Sequence, residues 1–228
     1  MAAAAPSAGL EPATPRPPRP SARRAGDPPV GRQRLAQDQK NARRRKAVIC
    51  FFDESGVSLT PIVRSTWAPR GKTPVLVHRF NWKRASIAAA LCFGSDGGGC
   101  QLAFHVQPGS YNTDSLIGVL GELRRFLGGQ KATVLWDGLP AHRSNKMRAF
   151  IASQRHWLVV ERLPGYAPEL NPTEALWGNL KGKGGELAYL AGDTLEEVIG
   201  AAQRGIDRVR RTPHLPYSFL RHSGLDLW

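Results

Sequence analysis

The sequence predicts an α/β domain built on one mixed sheet with helices on its faces. Three observations carry this. Apolar, β-rich segments separated by short polar turns follow one another from Ala47 to Pro108. The apolar period changes from two residues to three or four after Tyr111, and from there strand-like and helix-like segments alternate. An antiparallel meander that runs on into βαβ units closes into a mixed sheet covered by helices.

Residues 1–30 hold 8 of the 18 prolines among alanines and arginines with no apolar periodicity, and read as a disordered tail. Residues 31–46 carry good helix formers and a basic end, and read either as a short solvent-facing helix or as a solvated basic linker. The folded domain is expected over 47–228. AVICFFDES then breaks off into charge and Ser-Gly, as a buried central strand ending at Asp53 would. TPVLVHRF, RASIAAALCFG and QLAFHVQP follow as further strands, the last two joined by the Gly-rich turn at 96–99, so four strands are expected before any core helix.

The segment TDSLIGVLGELRRFLGG spaces Leu116, Leu120, Leu123 and Leu127 three or four apart, opens on Thr/Asp and ends in Gly-Gly, which predicts a helix. A strand (ATVLWD), a helix (SNKMRAFIASQR), a strand (WLVVERLP) and helices from Asn171 and Thr194 complete the pattern. No internal repeat is present.

Composition narrows the function. Lys and Arg number 32 against 18 Asp and Glu, a net charge of +14, which favours a polyanionic partner such as nucleic acid. Residues 1–46 carry +8 of it, so a basic tail alone could produce much of the signal. Cys50, Cys92 and Cys100 are odd in number and lack CxxC spacing, which argues against a disulfide framework or a zinc site and fits a reducing cytoplasm. No apolar run approaches the roughly 20 residues of a membrane span, and the start lacks the pattern of a signal peptide.

Three acidic residues stand where such a sheet gathers its chemistry. Asp53 and Asp137 end strands, and Glu174 lies in the first turn of NPTEALWGNLK. Ligands of open α/β sheets bind beyond the carboxyl ends of the strands, so Asp53 and Asp137 become neighbours if their strands are adjacent. Clustered carboxylates suit hard cations, and two Mg²⁺ ions clamped by them can activate the attacking oxygen and stabilise the leaving oxygen of a phosphoryl displacement without a covalent protein nucleophile. Each residue also has a plainer reading. Either aspartate could end its strand by turn chemistry. Asn171, Pro172 and Glu174 could form a capping box.

The segments FFDESG (51–56), WAPRGKTP (67–74), LWDGLPAHRS (135–144) and PGYAPELNPTEALWGNLK (164–181), in that order, resemble the signature blocks of DDE transposases of the Tc/mariner superfamily, bacterial insertion-sequence type. Asp137 and Glu174 have 36 residues between them, within the range associated with that superfamily. The resemblance implies an RNase H-like fold with a five-stranded mixed sheet. It also implies metal-dependent DNA strand cleavage at transposon inverted-repeat ends, then strand transfer of the freed 3′-hydroxyl into target DNA. Two Mg²⁺ or Mn²⁺ ions held by Asp53, Asp137 and Glu174, a homodimer assembled on DNA, and a nucleoid-associated place in the bacterial cytoplasm go with it.

Other matches are secondary. His142 could orient a phosphate, position the site, or be an ordinary satisfied loop residue. Glu54 stays out of the ligand set, because alternation points it away from Asp53. Arg70, Gly71 and Lys72 form either a DNA-approach loop or a solvated hairpin turn. Trp177 is expected to pack in the core and anchor the turn carrying Glu174. Lys181, Lys183, Arg204, Arg208 and Arg211 could meet phosphates or form a solvated face.

The chain also departs from the pattern. Gly138 follows the second aspartate where relatives often have Asn, and no helix-turn-helix pattern precedes residue 47. The expectation is a catalytic half whose recognition region lies elsewhere. The competing expectation is an inactive DNA-binding remnant of a transposase.

Overall fold

The computed structural model describes residues 30–62, 72, 75–77, 83–163 and 168–225. The tail expected over 1–30 lies outside them up to residue 29, as do Arg70 and Gly71. The strands are β1 (Val48–Ser58), β2 (Arg84–Phe93), β3 (Cys100–Pro108), β4 (Ala132–Trp136) and β5 (Leu158–Arg162). The helices are α1 (Val30–Arg44), α2 (Thr113–Phe126), α3 (Asn145–Ser153), α4 (Pro172–Lys181), α5 (Leu195–Arg210) and α6 (His214–His222).

One five-stranded sheet has the order β3-β2-β1-β4-β5. β1 pairs antiparallel with β2, and β2 with β3, whereas β4 runs parallel to both β1 and β5. The central strand is apolar on both sides, and alternation divides its residues between two cores. Ile49 and Phe51 join Leu35 and Ala42 of α1, Leu176, Trp177 and Leu180 of α4, and residues of α5 and α6. Val48, Cys50 and Phe52 join Leu116, Val119, Leu120 and Leu123 of α2 and Met147 of α3. Asp53 inherits the α4 face by parity and Glu54 the α2/α3 face. Cys50 and Cys92 stand opposite each other in this interior as free thiols.

Local chemistry sets the helix ends. Asn112 caps α2 and forms a reciprocal capping box with Ser115, one residue before the Thr/Asp start expected from sequence. Gly128 and Gly129 take positive φ beyond it. Ser144 caps α3 and Thr194 caps α5. Asn171 caps α4 with Pro172 at its first position.

Three expectations need correction, and one helix, α6, was not anticipated. The strand expected at TPVLVHRF is absent where it is described: Val75, Leu76 and Val77 are exposed and unpaired in any ladder, because RASIAAALCF takes the edge of β1 directly. β-propensity alone does not create a partner. β1 does not end at Asp53 but continues to Ser58, held by β2 through the Ser58–Arg84 pair. α1 is a helix whose inner face is buried at Leu35, Asp38 and Ala42, so it is not purely solvent-facing. Helix α6 carries no clear sequence signal, since Pro213 and Pro216 read as breakers. Both fall in the region of the first turn, where no intrahelical N–H is required.

Candidate active site

The sheet topology creates the site. Pairing between β1 and β4 stops at Phe51–Leu135, and Asp53 and Asp137 each lie two residues beyond that pair. β1 outruns β4 here, so Asp53 stays on a rigid strand while Asp137 starts the loop to the 3₁₀ turn Pro140–Arg143. The third carboxylate comes from α4. Thr173 is fully buried and its hydroxyl donates to the Phe51 carbonyl at 2.9 Å, which fixes the first turn of α4 over β1. Glu174 follows Thr173 and is exposed. The Asn171 side chain accepts from the Thr173 N–H, and among the described residues Glu174 returns no side-chain hydrogen bond, so the capping box is not made.

Asp53 is buried, and the Trp177 indole N–H donates to its Oδ2 at 2.9 Å. Burial raises its carboxyl to about 7; the indole bond opposes this, and repulsion from Glu174, Glu54 and Asp137 adds to it. Asp53 therefore feels three other carboxylates at this end of the sheet. Asp137 behaves oppositely. Burial pushes its carboxyl up, but bonds from His142 and the Leu139 N–H, with the charges of His142 and Arg143, outweigh that and hold it below the ordinary value.

His142 sits between two carboxylates. Its Nδ1 is 2.8 Å from Asp137 Oδ1, and its Nε2 is 3.2 Å from Glu54 Oε1. With acceptors at both nitrogens the imidazolium is the form that satisfies both, and although burial opposes charging, Asp137 and Glu54 raise the ring to about 9. Trp136 covers the ring with centroids 3.7 Å apart and donates its indole N–H to Glu54 Oε1 at 3.2 Å. Glu54 Oε2 is buried without a hydrogen-bond partner among the described residues, a condition that costs about 1–3 kcal/mol. Glu54, Asp137 and His142 also each offer a ligand atom within 4.8 Å of the others.

The structure thus brings Asp53, Asp137 and Glu174 to one end of the sheet, with Glu54 and His142 behind Asp137. Sequence reasoning set Glu54 aside on strand parity. The parity is right, but Trp136 and His142 lie on that other face and link it to Asp137. Trp177 is buried as expected and is also the donor to Asp53.

The basic residues separate into groups. Lys181 donates to Ser55 Oγ at 2.5 Å and to the Gly56 carbonyl at 2.8 Å, tying the end of α4 to β1. Arg208 is not a solvated phosphate contact: its guanidinium holds Glu186 at 2.6 and 3.0 Å and Asn179 at 2.7 Å. That bidentate pair is a structural link between α5 and the segment after α4. Lys72, Lys183, Arg204 and Arg211 are exposed.

A converging carboxylate set in which burial and the neighbouring carboxylates push Asp53 to about 7 is chemically suited to divalent cations, whose charge relieves that repulsion. The family model of the DDE superfamily endonucleases matches residues 48–194. No curated relative matches in sequence. Among solved structures, the mariner Mos1 paired end complex with Mg is similar with a TM-score of 0.52 at 17% identity, covering 92% of this chain and 63% of that chain. The Mos1 mariner paired end complex with Mn gives 0.51 at 17%, with coverages of 88% and 63%. The chain therefore spans less than two thirds of the length of those proteins. At this identity the likeness is one of fold, and it bears out the RNase H-like five-stranded sheet flanked by helices. The chain belongs to the DDE superfamily of endonucleases.

Proposed function

We propose that this chain is the catalytic domain of a cut-and-paste DNA transposase that performs metal-dependent strand cleavage and strand transfer. One observation carries the reading: Asp53 and Asp137 stand at matching positions just past the last β1–β4 pair, and Thr173 fixes the turn that presents Glu174 beside them. Asp53, Asp137 and Glu174 would hold two Mg²⁺ or Mn²⁺ ions, which when bound supply an activated attacking oxygen and stabilise the departing 3′-oxygen.

The chain's own residues do the positioning. β1 and the Trp177 indole hold Asp53 in one orientation, and α4 offers Glu174 with its carboxylate unengaged. No side chain is needed as a covalent nucleophile. DNA is the partner: transposon inverted-repeat ends first, target DNA second. The solved relatives are paired-end complexes of Mos1, which supports a homodimer assembled on DNA. The exposed Lys72 and Lys183 would face phosphates, the region that reads the ends would lie outside this catalytic half, and the protein would act in the bacterial cytoplasm at the nucleoid.

The test is cleavage of DNA carrying the element's inverted-repeat ends by the purified chain in Mg²⁺ or Mn²⁺. Asp137→Ala should abolish it while the protein stays folded. DNA binding with no metal-dependent cleavage would favour an inactive remnant.

A further inference from the structure

Asp137 differs from Asp53 and Glu174 in what holds it. Asp53 sits within a paired strand and Glu174 in a helix, but Asp137 is one residue beyond β4, on a loop. Apart from its reach to the Leu139 N–H, its carboxylate is fixed by the ring of His142. That ring is fixed in turn. Trp136 lies against it, and its other nitrogen meets Glu54 Oε1, which also accepts from the Trp136 indole. Glu54 is anchored by register, opposite Ala88 in the β1–β2 ladder.

We propose that Glu54 is a positioning residue for Asp137, acting through His142, so that a carboxylate fixed on a strand sets the orientation of a metal-binding carboxylate fixed on a loop. This inference rests on the metal-dependent reading above. Partners of ligating groups commonly fix their orientation and tune affinity in this way.

A rival arrangement is a cation held by Glu54, Asp137 and His142 themselves, whose ligand atoms lie within 4.8 Å of one another. The ring disfavours it. Both nitrogens already face a carboxylate, at 2.8 and 3.2 Å, so His142 cannot give one to a cation without releasing Asp137 or Glu54.

The experiment titrates Mn²⁺ alone into the full chain by calorimetry and records thermal melts of the metal-free protein in parallel. Glu54→Met keeps the length but removes the acceptor, and His142→Ala removes the bridge. Each should weaken Mn²⁺ binding about tenfold, at the lower end of what such outer partners contribute. The double variant should bind no more weakly than His142→Ala alone, because Glu54 acts through the ring. Glu54→Gln, which keeps an acceptor for the ring, should recover most of the loss whatever the melts show.

Binding within twofold of wild type in His142→Ala or Glu54→Met, or losses that multiply in the double variant, would overturn the inference. Asp137→Ala separates the two levels. If it abolishes Mn²⁺ binding while the Glu54 and His142 variants do not weaken it, the metal site stands and the positioning role falls. If wild type binds no Mn²⁺, or Asp137→Ala binds as wild type does, both fall.

Discussion

The Trp177 indole N–H donates to Asp53 Oδ2 at 2.9 Å, so the helix that presents Glu174 also orients the aspartate on the central strand. The same indole is buried in the core, where its area contributes to packing independently of the bond. Trp177→Phe separates the two roles. The loss of one hydrogen bond to a carboxylate should cost about 1.5–3 kcal/mol at most, whereas metal-dependent cleavage should fall by at least tenfold. Cleavage rates measured beside a urea unfolding curve would check this. Full activity in a destabilised protein would mean that the bond serves the core only.

Gly205 marks a close approach of α5 to α4. A Cβ there would meet Leu180 Cδ2 at 2.2 Å and Glu186 Oε2 at 2.7 Å. Neither neighbour is free to yield: Leu180 is fully buried and Glu186 is clamped by Arg208. Gly205→Ala should therefore destabilise the fold by about 1–3 kcal/mol despite the better helix propensity of Ala. A melting temperature equal to or above that of wild type would show that the α4–α5 contact is looser than described.

Asp38 gives a pH dependence unrelated to the active site. It is buried on the inner side of α1, and burial first, then repulsion from Glu161, raises its carboxyl to about 6 against the attraction of Arg34. The folded value exceeds the ordinary 3.8, so between about pH 4 and 6 the folded chain binds this proton more tightly than the unfolded chain. The resulting stability is present below about pH 4 and lost as pH rises through about 6. Asp38→Asn should raise the melting temperature at pH 7.5 and flatten its dependence over that window. A lower melting temperature at pH 7.5 would contradict the burial argument.

Much of this was legible in the residues, for identifiable reasons. The strand AVICFF is an unbroken apolar run, the helix carrying Leu116, Leu120 and Leu123 has a strong period, and Asn171-Pro172 marks a helix start by local chemistry alone, so their positions follow from nearby sequence. Asp137 and Glu174 could be placed at element ends in the same way. What depended on partners was not legible. Val75–Val77 has the texture of a strand, but β2 already takes the edge of β1 that it would have joined, and β1 runs past Asp53 because β2 holds it there. Arg208 looked like one charge in a basic run until Glu186 came beside it. Glu54 was dismissed by a correct argument about which way it points. Its link to Asp137 depends on His142 folding back from the loop, a contact across 88 residues that no local pattern encodes.

The most direct test of the central claim is a crystal structure of the chain grown with Mn²⁺, with the ions located by anomalous scattering. Peaks are expected between the carboxylates of Asp53, Asp137 and Glu174, with His142 still bridging Asp137 and Glu54. Anomalous density ligated by Glu54, Asp137 and His142, with Asp53 and Glu174 left without a cation, would contradict it.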